Sequence, residues 1–96
     1  AMIRTLGALV GNPDKADALA TLLEGRLQAV AAAAQGLKRP KVYVEEWDEP
    51  MISGIGWVSE LVTIAGGEDV FADLAGRKSA RDRIIAAEQV VAAAPD

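Results

Sequence analysis

One run in this 96-residue chain, Lys41-Val42-Tyr43-Val44-Glu45-Glu46-Trp47, is β-branched and aromatic and begins by alternating, while the sequence on either side reads as helix. Pro40 pushes Arg39 toward extended geometry, and Asp48-Glu49-Pro50 ends the run. A strand exposes a ladder of N–H and C=O groups that have to be paired, so one strand alone is not a structure. The expectation is an α/β fold with a single evident strand whose partner these residues do not supply. A crossover helix is normally followed by a second strand, which falls due at Pro95-Asp96, the last residues of the sequence. The reading is therefore a severed piece of a longer protein, expected to pair its strand with a second copy as a homodimer.

The helices have identifiable starts and stops. Asn12-Pro13-Asp14 combines a capping Asn, a Pro suited to the first helical position and, with Asp17, acids at the positive end of the dipole. This predicts a helix from Pro13 to about Gln35, with Leu19, Leu23, Leu27, Val30 and Ala34 as its apolar stripe. Gly25 costs it about 1 kcal/mol relative to Ala, and Gly36 followed by Lys38-Arg39-Pro40 stops it. Beyond the strand, a loop through Ser53-Gly54-Ile55-Gly56 leads to a helix over Trp57–Ala65, on which Trp57, Leu61 and Ile64 share a face and which Gly66-Gly67 closes. Glu68–Ser79 reads as mostly irregular, Ile84-Ile85 as a short extended piece, and Glu88–Ala94 as a short helix ended by Pro95.

Composition excludes several functions. With no Cys there is no disulfide or thiolate, and with no His the commonest general base and transition-metal ligand is missing. A formal charge of -4, with ten scattered Lys and Arg, argues against a nucleic-acid surface. Charges interrupt every long apolar run, so no segment reaches the roughly 18 apolar residues of a membrane helix. Ala1 ahead of Met2 reads as a residue left from a tag, and the opening residues lack the basic and apolar regions of an export signal. The core is expected to be thin, because much of the 51% apolar content is Ala, with one Phe, one Tyr and two Trp.

A stretch of specific motifs adds a resemblance. Arg39-Pro40-Lys41-Val42-Tyr43-Val44-Glu45-Glu46-Trp47, Pro50-Met51-Ile52-Ser53-Gly54, Trp57-Val58-Ser59-Glu60-Leu61, Ala65-Gly66-Gly67-Glu68-Asp69-Val70-Phe71 and Glu88-Gln89-Val90-Val91 follow one another in an order that resembles the C-terminal lobe of the vitamin B12 and siderophore solute-binding proteins of ABC importers. Gly7-Ala8-Leu9-Val10-Gly11 and the long helix resemble the family's entry into its rigid interlobe connector. The resemblance implies an incomplete three-layer α/β lobe of a helical-backbone periplasmic binding protein. Residues 1–37 would then end the first lobe and form the interlobe helix, and residues 38–96 would begin the ligand-binding lobe. It also implies a non-enzymatic protein outside the cytoplasm that captures a metal chelate, siderophore or corrinoid, and delivers it to an ABC permease.

Carried over residue by residue, the family's ligand cleft falls near Glu45, Trp47, Asp48, Met51 and Trp57. Indole and thioether surfaces beside carboxylates suit a large, partly apolar ligand with amide or amine edges. Plain core packing is the competing reading of all three apolar residues, and for Trp57 it is the stronger one. Glu88 matches a surface glutamate that docks on permease arginines, and a helix-dipole carboxylate explains it equally well. Where family members often carry a large aromatic, this chain has Arg81-Asp82-Arg83, which implies a more anionic or polar chelate. No resident cofactor and no metal site are expected: Glu45 and Glu46 point to opposite faces of a regular strand, so the acids from Glu45 to Glu49 do not converge. Gly54-Ile55-Gly56 lacks the spacing and the lysine of a phosphate loop. The rival classes are a self-association module without a small ligand, and an enzyme using Glu45 or Glu46 with Asp48 as acid and base.

Overall fold

Gly11, at φ +79°, turns the chain between two helices, α1 (Met2–Leu9) and α2 (Pro13–Ala34). These come from a computed structural model that describes residues 2–96; Ala1 lies outside the described residues. The Asn12 N–H donates to Gly7 O at 2.8 Å and its carbonyl accepts the Ala16 N–H at 3.1 Å, which ties the turn into both helices. The described chain divides into two compact units, 1–33 and 34–96.

In the first unit the helices approach where side chains are smallest. A Cβ on Gly7 would lie 2.0 Å from the Ala16 Cβ, so no other residue fits there. Ala16 and Ala20 are buried as a result. The expected stripe is corrected by this contact: Leu19, Leu27 and Val30 are exposed, because close packing against α1 selects the small Ala16/Ala20 face of a helix that is apolar on more than one side. Arg4 crosses from α1 to Asp17 at 2.8 Å, to Thr21 Oγ1 at 3.2 Å and to Glu24. Spacings of four and three put those three residues on one face of α2. Hydrogen bonds donated to Glu24, and then to Asp17, hold the Arg4 guanidinium above its ordinary pKa.

In the second unit the predicted strand Lys41–Trp47 is two strands in two different sheets. The first, β1 (Lys41–Val42), pairs parallel with β4 (Glu68–Asp69), in register Lys41 to Glu68 and Val42 to Asp69. The second, β2 (Glu45–Asp48), pairs antiparallel with β3 (Met51–Ser53). On the edge of β1 away from β4, the Lys41 N–H donates to Asp96 Oδ2 and the Asp96 N–H donates to Lys41 O, both at 2.8 Å. The expectation of a lone strand without internal partners is thus wrong, and the strand-pairing argument for a severed chain and a homodimer loses its basis. The missing partner sits in Glu68–Asp69, a pair of acids with low strand propensity too short to show any alternation.

Between β3 and β4 in the chain runs α3 (Gly56–Ile64), and after β4 come α4 (Ala72–Ala75), a 3₁₀ turn (Ala80–Arg83) and α5 (Ala87–Ala93). Gly66, at φ +96°, reverses the chain after α3, and a Cβ there would lie 2.7 Å from the Ala34 Cβ. Arg39 Nη2 donates to Thr63 O at 3.0 Å and to Gly67 O at 3.1 Å, placing a cation on the negative end of α3. Ile84 forms an antiparallel bridge with Ile52, and the Ile85 N–H donates to Met51 O at 3.0 Å, so this extended piece flanks β3. The core is small: Phe71, Ala75 and Ile85 are its buried apolar residues, and Tyr43 meets Phe71 edge-to-face at 5.7 Å. Among the described residues no helix is long and apolar enough to cross a membrane.

Candidate functional site

The β2–β3 hairpin carries four of the five cleft residues expected from the sequence, and its register decides how they stand. Asp48 faces Met51 and Trp47 faces Ile52 across the two-residue connection Glu49–Pro50, whose peptide bond is cis. Glu45 then faces Ser53, so two steps along β2 match one step along β3 and Glu46 is a bulged residue. Paired residues share a face of a hairpin, and successive residues alternate. Glu45, Asp48 and Met51 therefore share the face of Ser53, while Trp47 shares the opposite face with Ile52. A regular strand would have placed Glu45 with Trp47.

Each side chain has a definite environment. Trp47 is 61% exposed, and its Nε1–H donates to Glu49 O at 3.2 Å, which folds the indole over the turn. Its donor is used and its ring is left to solvent. Met51 is half-buried; Glu45 and Asp48 are exposed. Glu45 Oε1 accepts the Tyr43 hydroxyl at 3.0 Å. Burial, and then this hydrogen bond to a carboxylate, push the Tyr43 phenol up to about 12.

Trp57 stands apart from the hairpin, in the first turn of α3, and is 65% exposed. This overturns the core-packing reading of Trp57. The predicted inner face of Trp57, Leu61 and Ile64 is corrected in part: Leu61 is exposed and Ile64 half-buried, while Ser59 is buried and Val58 and Val62 are half-buried. Glu88 is exposed in the first turn of α5, where Gln89 Oε1 accepts the Ala86 N–H at 2.7 Å and closes the helix start.

The residue that sequence reasoning missed is Arg83. It is 2% exposed, whereas the sequence Arg81-Asp82-Arg83 implies charge facing a ligand. Its Nε donates to Arg77 O at 3.0 Å, and its Nη1 donates both to Ser53 O at 2.6 Å and to Glu46 Oε2 at 2.5 Å. In return Ser53 Oγ donates to Arg83 O at 3.2 Å. Arg83 thus braces the base of the hairpin from behind and is not a ligand contact. The available signal was a local conflict, two adjacent carboxylates inside a strand, which calls for a buried or bulge-associated cation.

Glu45 and Glu46 are engaged by different partners, a phenol and a guanidinium, so they do not act as a pair. What the hairpin offers is an open surface of one indole ring, one thioether and two carboxylates, a surface suited to contact and not to bond-making.

The whole chain, residues 1–96, matches the model of one protein family, described as periplasmic binding protein. The chain belongs to that family, which includes the cobalamin- and siderophore-binding periplasmic proteins. Its role is that of a solute-binding protein in ABC transport; such proteins are periplasmic or otherwise extracytoplasmic and are generally not enzymes. Neither the curated proteins nor the solved structures contained a match.

Proposed function

We propose that the protein is the solute-binding component of an importer for a metal chelate, cobalamin or a ferric siderophore, and that it delivers this ligand to the permease through a surface including Glu88. Residues 38–96 belong in this reading to the first part of the ligand-binding lobe, and residues 1–37 to the end of the first lobe and the interlobe helix. The observation that carries it is Trp47: a large ring held by its own N–H yet left to solvent, at the tip of a braced hairpin. Exposed aromatic rings with fixed orientation are efficient contact surfaces for large, partly apolar ligands. Met51 adds a polarisable surface, Glu45 and Asp48 accept hydrogen bonds from amide or amine edges, and Trp57 supplies a second ring. Arg83 is buried, so the chelate is not selected by a cation at that position.

Ligand that binds only the folded state raises the melting temperature, by about 2.7 kcal/mol of added stability at one hundred times Kd. A thermal shift with cobalamin or a ferric siderophore, lost on Trp47→Ala, is the expected result; no shift with any chelate contradicts it.

A second reading, self-association without a small ligand, is favoured by the first unit, where Leu6, Leu9, Leu19, Leu22 and Val30 are exposed. Light scattering separates the two: an obligate dimer insensitive to chelates supports self-association, and a monomer excludes it.

A further inference from the structure

We infer that the Arg83–Glu46 ion pair selects the bulged register of the β2–β3 hairpin, and so decides that Glu45 stands with Asp48 and Met51 instead of with Trp47. Both residues are then positioning residues for the ligand surface, and that functional half of the inference rests on the chelate-binding reading above.

Two registers compete for this hairpin. The turn fixes Asp48 opposite Met51 and Trp47 opposite Ile52. Continued without interruption, the ladder would place Glu46 opposite Ser53 and Glu45 opposite Gly54. The observed hairpin instead skips Glu46 and sets Glu45 opposite Ser53. A bulge leaves its extra residue without a ladder partner, so something outside the ladder has to favour it. Arg83 does so from a single nitrogen: Nη1 donates to Ser53 O at 2.6 Å and to Glu46 Oε2 at 2.5 Å, fastening the skipped residue to the backbone of the one it would otherwise face.

The guanidinium cannot easily leave that position. It is 2% exposed, its Nε is held by Arg77 O, and Ser53 Oγ donates to Arg83 O. Glu46 is the movable member, with 43% of its side chain exposed. The consequence reaches the surface through Glu45. In the bulged register its carboxylate accepts the Tyr43 hydroxyl at 3.0 Å and lies on the Met51 face. In the regular register alternation carries it to the Trp47 face and away from that phenol. The same four residues would then present a different surface to a ligand.

The test uses the whole chain with Glu46→Gln, which removes the charge at the exposed end and leaves Arg83 in place. Cross-strand contacts between backbone protons, amide and α, report the register directly. In the parent, Glu45 contacts Ser53. In the variant the register with residue 46 opposite Ser53 is expected to gain about tenfold in population, the size of effect that loss of a charge-assisted hydrogen bond produces. Glu46→Asp, which keeps the charge, restores the parent pattern in part. Contacts of Glu45 with Gly54 that are no stronger in Glu46→Gln than in the parent, whatever the change in melting temperature, overturn the inference. Chelate affinity measured on the same proteins is expected to fall in proportion to the fraction of the bulged register that is lost. If the parent binds no chelate, the functional reading fails while the proton contacts still decide the register.

Discussion

Replacing Arg83 by Met removes a buried cation while keeping an unbranched side chain in its place, and the structure sets the size of the effect. Ser53 O loses its guanidinium donor inside the protein and Arg77 O loses one at a part-buried position, and an acceptor left unsatisfied costs about 1–3 kcal/mol where water does not replace the donor. Glu46 adds little to the loss, since its half-exposed carboxylate turns to water. Against these terms stands the desolvation cost of the guanidinium itself, which the variant no longer bears. The balance is a destabilisation of about 3 kcal/mol, or about 12–24 °C in melting temperature for a chain of this size. Urea unfolding followed by circular dichroism, with an unchanged denaturant slope, measures it. Arg83→Lys retains a charge but not the fork that reaches two carbonyls, and falls between. A stability of Arg83→Met within about 0.5 kcal/mol of the parent would refute the bracing role, because effects of that size are ordinary for exposed residues.

Other perturbations test separate parts of the account. Gly66→Ala combines a left-handed backbone, costing about 1–2 kcal/mol, with a Cβ 2.7 Å from the Ala34 Cβ; a melting-temperature drop of about 10 °C or more is expected by calorimetry, and an unchanged value contradicts the close approach. Tyr43 is the single tyrosine, so absorbance at the phenolate band follows it alone and is expected to show a midpoint of about 12. The sign follows from linkage: the folded-state value lies above the ordinary 10, so the contribution to stability is complete below pH 10 and is lost as pH rises toward 12. Glu45→Gln is expected to lower that midpoint only in part, since burial is the larger cause; a midpoint near 10 in the parent removes the argument.

Much of the helical framework was legible because its punctuation is local. Asn12-Pro13 starts α2, Gly66-Gly67 ends α3, and the expected helices over Trp57–Ala65 and Glu88–Ala94 correspond to Gly56–Ile64 and Ala87–Ala93. Helix α1 carries no comparable start or stop signal, and the close approach of Gly7 to α2 shows only once Ala16 is known to lie against it. Strands failed for a different reason. A two-residue strand has no periodicity, and the partner of Lys41–Val42 lies beyond a hairpin and a helix. The bulge at Glu46 depends on a guanidinium thirty-seven positions away, and the adjacent carboxylates Glu45 and Glu46 call for a cation without saying which one. Trp57 was misjudged because an aromatic at helical spacing normally faces a core; this unit's core is too small to take it. The family was legible from the motif order between Arg39 and Phe71, although the elements that carry those motifs are arranged differently from the expectation.

The central claim is that Trp47, held by Glu49 at the tip of a braced hairpin, is a ligand contact. Titration of the Trp57→Phe variant with cobalamin and with ferric siderophores, following the fluorescence of the remaining indole, tests it most directly. Saturable quenching with a Kd that weakens at least about tenfold on Trp47→Ala, a loss of about 1.4 kcal/mol measured by calorimetry, is the predicted result. Saturable binding with equal affinity in Trp47→Ala, or an indole signal that none of the chelates alters, would contradict it.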